Sequence, residues 1–359
     1  KDGHHGYTPA SGIPPLRQAI SDDLYRRHDV RIEPDRILAV PGGKVTMFLA
    51  MMIYGEPGCE ILYPNPGFPI YESTIRFSGA KPIPIPLREQ NGFAFSAEEV
   101  LSKINLKTRL IILNSPANPT GGVVPRREFS ALIEGLCEWP DVAIMSDEIY
   151  GQMLYDNREH VSLIRYPEIT DRLILLDGWS KTYAMTGWRL GYSVWPEKVA
   201  PHAEKLCVNI HSCVNSSAQF AGIAALTGDQ SPVKTMVSAF DERRTVIVNE
   251  LNKIPVEVNN FSTFNLVEIY VLGIVMSVLA YPIYPEMAIE HLALYSKTKK
   301  DRTSDFFLKS EVVSKTINNY TSPRRLVWNI KAYTLGHKEA RVALALNGST
   351  LFKQGNEIL

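Results

Sequence analysis

The feature that most constrains this chain is an alternation of short apolar runs with stretches of helical character between Leu16 and Leu176. Such alternation is typical of an α/β protein, with a mostly parallel central sheet flanked by helices on both faces. Several runs are apolar at every position, as expected of strands that are buried on both faces. The predicted strands are Ile37 to Val40, Glu60 to Leu62, Pro82 to Ile85, Leu110 to Leu113, Val142 to Met145 and Leu173 to Leu176.

The length of 359 residues predicts a large domain and a smaller one. We place the large domain at residues 1–232 and the small C-terminal domain at residues 233–359. A long helix is expected from about Val233 to Lys253, at the start of the small domain. Residues 265–335 show no clear period and are atypical. Within them, the uncharged segment Ile269 to Tyr284 contains Pro282 and is shorter than the usual bilayer span, so we interpret it as buried core rather than a membrane helix.

The charge balance indicates a small-molecule partner. The chain has 38 basic and 38 acidic residues, which gives no bulk electrostatic reason to expect nucleic acid or an anionic membrane surface. The cysteines lack the pair spacing of zinc sites, and no metal site is predicted. We expect reduced, buried thiols in a cytoplasmic protein.

Reactive or flexible residues follow most of the predicted strands. Because ligands of open α/β sheets bind at the carboxyl ends of the strands, we expect the chemistry to lie there. The segments that follow five strands read PGGK after Val40, YPNPGFP after Leu62, NSPANPTGG after Leu113, SDEIYG after Met145 and DGWSK after Leu176.

Lys181 follows the last of these strands closely. An isolated lysine is usually exposed, but one buried in the crevice loses basicity, and its free amine can then form a Schiff base with an aldehyde. Pyridoxal 5′-phosphate supplies such an aldehyde, and its ring nitrogen needs a carboxylate partner. Asp147 is suitable, although an aspartate at a strand end is also a common helix cap or turn residue.

The remaining groups of this cofactor have candidate partners too. Tyr150 and Asn118 can donate to the ring's phenolate oxygen. Arg189, with the backbone amides of Gly42 and Gly43, can bind the phosphate, and Phe68 can stack on the ring. Each alternative is structural: a Gly-Gly-Lys is usually a turn, and a phenylalanine is usually core.

Five segments in order resemble the successive motifs of the class I and II aminotransferases, the aspartate-aminotransferase-like enzymes of pyridoxal-phosphate fold type I. Five motifs in sequence are far more specific than any single one. The resemblance covers roughly Lys1 to Phe264. The segments are GYTPASGIPPLRQAIS, ending at Ser21, GGK at Gly42 to Lys44, NSPANPTG from Asn114, SDEIYG from Ser146 and SKTYAMTGWRLGY from Ser180.

The resemblance implies a role for each matching residue and a smaller C-terminal α+β domain. Lys181 is implied as the Schiff-base lysine and proton shuttle, and Arg341, in ARVALALN, as the ligand of the substrate α-carboxylate together with Asn118. Tyr7 is implied to reach the phosphate of the neighbouring subunit, which predicts a homodimer. The implied cofactor-binding residues are Asp147, Tyr150, Asn118, Arg189, Gly42, Gly43, Lys44, Phe68, Ser180 and Tyr7.

The implied reaction is a ping-pong transfer of an amino group from an L-amino acid to a 2-oxo acid. Two alternatives stay open, because one fold hosts several reactions. One is a carbon-sulfur lyase or a related lyase with the same cofactor. The other is a non-catalytic protein that binds the cofactor or a partner through a degenerate small domain. One position departs from the family pattern: Gly178 stands where the family often has a phosphate-binding serine.

Overall fold

The computed structural model describes residues 4–251, 329–335, 339–346 and 349–351. The chain divides into two compact units, Lys1–Ala239 and Phe240–Leu359. The domain boundary between residues 232 and 233 stays a prediction. The apolar segment 269–284, and all of the atypical region except residues 329–335, lie outside the described residues.

The first unit contains a seven-stranded sheet with the order β1-β7-β6-β5-β4-β2-β3. Neighbours from β3 to β6 pair in parallel, which confirms the predicted α/β class and all six predicted strands. The strands are β1 Ile37–Val40, β2 Glu60–Asn65, β3 Lys81–Pro86, β4 Thr108–Asn114, β5 Ala143–Asp147, β6 Leu173–Gly178 and β7 Gly191–Val194.

Strand β7 was not predicted from the sequence. It has only four residues and runs antiparallel to both of its neighbours, β1 and β6. It begins at Gly191, where a Cβ atom would lie 2.9 Å from the Gly43 nitrogen. This strand depends on the close approach of two backbones, which the local sequence does not show. Glycine also has a low strand propensity, so the segment does not look like a strand in the sequence.

The helices carry identifiable start and stop signals. Prolines occupy the first turn of α1, where no amide donor is needed, and Asp29 ends it in the left-handed conformation. Asn215 caps α7 by accepting from the Ala218 amide. The helices are α1 Pro14–His28, α2 Lys44–Tyr54, α3 Ile70–Phe77, α4 Ala97–Ser102, α5 Arg126–Leu136, α6 Ala200–His211, α7 Ser216–Thr227 and α8 Ser231–Leu251. Helix α8 matches the predicted long helix to within two residues at each end.

Two apolar cores lie on opposite faces of the sheet. In β6, Leu173 and Leu175 belong to one core, whereas Ile174 and Leu176 belong to the other. This alternation follows from the two-residue period of a strand. It continues to the strand ends, so that neighbouring residues there point into different surroundings.

The described part of the second unit includes a three-stranded antiparallel sheet. Arg341, the implied carboxylate ligand, lies in β9 with its backbone opposite Tyr333 of β8; its side chain lies outside the described part of the chain. The strands are β8 Asn329–Leu335, β9 Glu339–Leu346 and β10 Ser349–Leu351. Across the described ranges of the whole chain, the search for a helix that could span a membrane found none.

Candidate active site

The carboxyl ends of β4, β5 and β6 bring the predicted residues to one edge of the sheet. Asn114 pairs in register with Asp147, and its side-chain Nδ2 donates to the Asp147 carbonyl oxygen at 2.9 Å. Lys181 lies in the turn after β6. Asp147 and Lys181 therefore both lie at the carboxyl ends of the strands, and their roles stay predictions.

Asp147 is a buried carboxylate, with 3% of its surface exposed. Its Oδ2 accepts from the hydroxyl of Tyr71 at 2.7 Å, and its Oδ1 accepts from the Ile149 amide at 3.3 Å. Burial raises the pKa of Asp147 to about 6, against the opposing effect of these two donors. A carboxylate held this way is poised to accept a proton or to pair with a cation.

Lys181 is half-buried, and its Nζ lies 5.6 Å from the centre of the Tyr150 ring. Burial lowers the pKa of Lys181, and the charges of Lys44 and Arg189 lower it further, while Asp147 acts in the opposite sense. A larger fraction of the side chain is then the free amine. That form is the one that attacks carbonyl carbons and accepts protons.

Asn118 and Ser180 lie half-buried in the loops at this edge. The backbone amide of Asn118 donates to Oδ1 of Asn114 at 2.8 Å, which fixes the loop after β4. Within the described ranges, the side-chain amide of Asn118 has no hydrogen-bond partner, so its donors are available to a ligand.

The start of α2 forms a site suited to an anion. In the described part of the chain, the amides of Gly43 and Lys44 donate to no oxygen, as expected at a helix start. Arg189 reaches across the same turn, donating to the Pro41 carbonyl oxygen at 3.3 Å and to that of Thr186 at 2.9 Å. Gly42 has φ +91°, and a Cβ atom there would lie 2.1 Å from Nη2 of Arg189. A side chain at this position would therefore displace the Arg189 guanidinium and strain the backbone.

Phe68 lies beside the start of α3 and is half-buried. Its ring packs edge-to-face against Tyr71, with centres 5.9 Å apart, and the Lys44 Nζ lies 5.3 Å from its centre. Phe68 thus contacts residues of both the carboxylate region and the helix start. An aromatic face between these regions can support a planar ring.

The departure at Gly178 has a physical reason. Gly178 pairs with Gly191 across β6 and β7, and a Cβ atom on Gly178 would lie 2.7 Å from the Gly191 Cα. A serine at this position would collide with the backbone of the neighbouring strand. The phosphate contact that the family often takes from this position is absent from the described site.

Tyr7 lies before α1 and is 92% exposed. The segment that follows it is fixed by Gln219, which is fully buried. Gln219 accepts from the Ile13 amide at 2.7 Å and donates to the Thr8 hydroxyl at 2.9 Å. The exposed tyrosine is therefore held at a defined place on the surface.

Sequence reasoning missed several residues around the site. Tyr71 lies three residues after Phe68 and two residues beyond the segment YPNPGFP, and Asn114 opens the NSPANPTG motif. Their roles depend on partners that are distant in the chain, and no local pattern identifies them. Glu148 was missed for the same reason.

Glu148 follows Asp147 but faces the opposite side of the sheet. It accepts from the Ser146 hydroxyl at 2.8 Å and from the Leu163 amide at 3.0 Å, and it pairs with His160 Nε2 at 2.8 Å. Burial alone would raise the pKa of Glu148, but His160 outweighs it and lowers that pKa to about 2. The His28 ring, at the end of α1, packs edge-on to His160 with centres 6.1 Å apart.

His28 should make the protein sensitive to acid. Burial, aided by the charge of Arg27, lowers the pKa of His28 from 6.5 to about 4. The folded state thus keeps this histidine neutral, and its contribution to stability is complete above pH 6.5 and is lost as the pH falls towards 4. The free energy of unfolding of the unaltered protein should fall between pH 7 and pH 5. We expect this fall to be about 2 kcal/mol smaller in His28→Leu.

Urea unfolding of the cofactor-free protein at the two pH values measures this effect. His202 is exposed, so His202→Leu should leave the pH dependence unchanged. The explanation would be wrong if His28→Leu lost as much stability between pH 7 and pH 5 as the unaltered protein.

Metal ligation has no support in the described ranges: no group of three or more histidine, cysteine, aspartate or glutamate side chains there could hold a metal ion. What the site offers instead is an amine of lowered basicity, a buried carboxylate and an anion-binding helix start. Together these groups can hold a planar, cationic ring that carries an anionic substituent.

Comparison with known proteins agrees with this arrangement. Residues 1–268 match the family described as aminotransferase class I and II. The chain is 37% identical over 255 residues to an aspartate aminotransferase of Sulfurisphaera tokodaii, covering 70% of this chain and 63% of that protein. It is 36% identical to a probable aspartate/prephenate aminotransferase of Aquifex aeolicus, covering 71% of this chain and 65% of the relative.

A solved structure is similar over the same share of the chain. The aspartate aminotransferase from Rhizobium meliloti superimposes with a TM-score of 0.68 at 33% identity, covering 70% of this chain and 63% of that one. This chain thus spans less than two thirds of the length of each of these three proteins.

Proposed function

Because this chain belongs to the class I and II aminotransferase family, we propose that it is a pyridoxal-phosphate-dependent aminotransferase. It would move an amino group from an L-amino acid to a 2-oxo acid in a ping-pong cycle. The observation that carries the proposal is the presence, at one edge of the sheet, of Lys181 with its lowered pKa, the buried carboxylate of Asp147 and the unbonded amides of Gly43 and Lys44 at a helix start.

The side chains and backbone fit this cofactor group by group. The unbonded amides at the start of α2, with the fork of Arg189, would bind its phosphate. Asp147 would pair with its ring nitrogen, and Phe68 would support the ring face. Ser180 lies in the same turn as Lys181 and would add a hydroxyl donor.

When bound, the cofactor supplies an electron sink that weakens the bond between the substrate α-carbon and its hydrogen. The Lys181 Nζ, as a free amine, would accept that proton and return it to a carbon of the cofactor. Asp147 would keep a proton on the ring nitrogen. Tyr150, whose ring lies beside the Lys181 amine, and Asn118 would donate hydrogen bonds to the ring oxygen.

We propose aspartate as the amino donor, because several relatives are named aspartate aminotransferases. Arg341 would bind the substrate α-carboxylate through its planar fork, with help from Asn118. Tyr7 would complete the site of a second subunit. Its 92% exposure in the single chain supports a role in a homodimer, because a tyrosine so exposed has its ring free for a partner. A cytoplasmic location belongs to the same proposal.

The two alternatives have no observation of their own in their favour. A lyase would use the same lysine and carboxylate, and the described residues do not distinguish it. A non-catalytic protein that binds the cofactor would use these residues as well. The named relatives are aminotransferases, and transfer is therefore the function we propose.

An absorbance experiment tests the proposal. Purified protein with pyridoxal phosphate should show the band of the lysine-linked cofactor, lose it when L-aspartate is added, and regain it with 2-oxoglutarate. Release of pyruvate from cysteine-type substrates without an acceptor would indicate the lyase instead. A band that neither aspartate nor glutamate shifts would contradict the proposed reaction and favour the non-catalytic alternative.

A further inference from the structure

Tyr71 connects α3 directly to the carboxylate at the end of β5. Its side chain is 1% exposed, and its hydroxyl donates to Oδ2 of Asp147 at 2.7 Å. Among the described residues, Oδ2 has no other hydrogen-bond donor. The other oxygen, Oδ1, accepts only the longer 3.3 Å bond from the Ile149 amide. One tyrosine therefore fixes the orientation of this carboxylate.

The direction of the hydrogen bond is settled by chemistry. Burial raises the pKa of Tyr71 well above its ordinary value, and the nearby charge of Asp147 raises it further. The hydroxyl thus keeps its proton and is always the donor. A donor that faces a carboxylate favours the ionised form, so Tyr71 opposes the effect of burial on Asp147.

We propose that Tyr71 is a positioning residue, whose hydroxyl fixes the Asp147 carboxylate in its ionised form and leaves Oδ1 available to the ring nitrogen of the cofactor. This inference rests on the proposed function. It also gives α3 a double role, because Phe68, two residues before the helix, contacts the Tyr71 ring. The segment from Phe68 to Tyr71 would then both contact the cofactor ring and fix the orientation of the Asp147 carboxylate.

The other titratable groups near this pair are all retained when the Tyr71 hydroxyl alone is removed. Glu148, which follows Asp147 in the chain, and Asp177, which lies in β6, both raise the pKa of Asp147. Lys181, in the turn after β6, interacts electrostatically with Asp147, and Tyr150 raises the pKa of Tyr71. A change that follows the loss of one hydroxyl therefore reports on Tyr71.

The test is a pH titration of the absorbance band in the protein loaded with pyridoxal phosphate. In Tyr71→Phe, Asp147 holds the proton on the ring nitrogen less well, and the nitrogen that links the cofactor to Lys181 becomes more basic. We expect the midpoint of the band to move up by about one pH unit, the size expected from one lost hydrogen bond to a charged group. The dissociation constant of the cofactor should rise about tenfold.

Tyr63→Phe is the matched control. Tyr63 is also buried, lies in β2, and donates its hydroxyl to Glu72 of α3 at 3.1 Å, away from Asp147. Its midpoint should equal that of the unaltered protein. A Tyr71→Phe titration that coincides with the control would overturn the positioning role while leaving the proposed function intact. If the unaltered protein formed no Lys181-dependent band, the proposed function and this inference would fall together.

Discussion

Lys181→Ala is expected to lower the transamination rate by at least about 10⁴-fold, because it removes the nucleophile and the proton-transfer base in one change. The variant should also lose the absorbance band of the lysine-linked cofactor. Steady-state kinetics with aspartate and 2-oxoglutarate, together with the absorbance spectrum, measure both effects. The amides at the start of α2, which we propose to bind the phosphate, are untouched, so the variant should still bind the cofactor without a covalent bond.

Lys198→Ala is a suitable control, since Lys198 is exposed and lies beyond β7. It should keep the rate and the spectrum of the unaltered protein. The stability of Lys181→Ala should be close to that of the control, because the protein gains little from holding an amine whose pKa is lowered by burial. A Lys181→Ala variant with more than a tenth of the normal rate would contradict the proposed mechanism.

Asp147→Asn is expected to stabilise the cofactor-free protein while it lowers the rate by a factor of about 100 or more. Burial raises the pKa of Asp147 from 3.8 to about 6. The folded state therefore favours the protonated form; the associated stability is present below pH 3.8 and is lost as the pH rises through 6. At pH 8 the ionised carboxylate costs about 3 kcal/mol, which the neutral amide avoids.

The gain in stability should depend on pH in a defined way. Urea unfolding of Asp147→Asn and the unaltered protein should differ by about 2 to 3 kcal/mol at pH 8 and by little at pH 4. Asparagine has nearly the same shape and keeps an oxygen that can accept from Tyr71, so it loses only the longer bond from the Ile149 amide. Asp141→Asn changes an exposed aspartate two residues before β5 and should alter stability by less than about 0.5 kcal/mol at either pH. An Asp147→Asn protein that is less stable at pH 8 would contradict this account.

If both effects are found, the buried charge of Asp147 lowers the stability of the folded protein and is kept because the reaction needs it. Asp147 is kept buried and ionisable because the ring nitrogen requires a carboxylate partner, and the folded protein bears the cost of the charge. Tyr71 reduces that cost through one hydrogen bond. The two residues would then be understood as a pair.

The main strands, and the position of several candidate site residues at their ends, could be predicted because these signals are local. Runs such as Leu110 to Leu113 are apolar at each position, which marks them as strands buried on both faces. The rule that ligands meet parallel sheets at the carboxyl ends of strands then located Asp147 and Lys181 at one edge. The ordered motifs added the family, which the comparisons support independently.

Contacts between distant segments could not be predicted in this way. Strand β7 depends on the close approach of Gly191 to Gly178 and Gly43, and the glycines alone indicated only turns. The chain order gives no sign that Tyr71 would meet Asp147, which lies 76 residues further on. Nor does it show that Arg189 would lie across Gly42.

The sequence by itself thus determined which segments are strands, which residues follow them and to which family the chain belongs. Only the tertiary structure decided which partners those residues meet. The physical reason is visible at Asp147 and Glu148, which are neighbours in the chain but point to opposite faces of β5. One faces Tyr71 of α3 and the other faces His160, which lies in the loop between β5 and β6, because side chains alternate along the chain there and the segments on each face supply different partners.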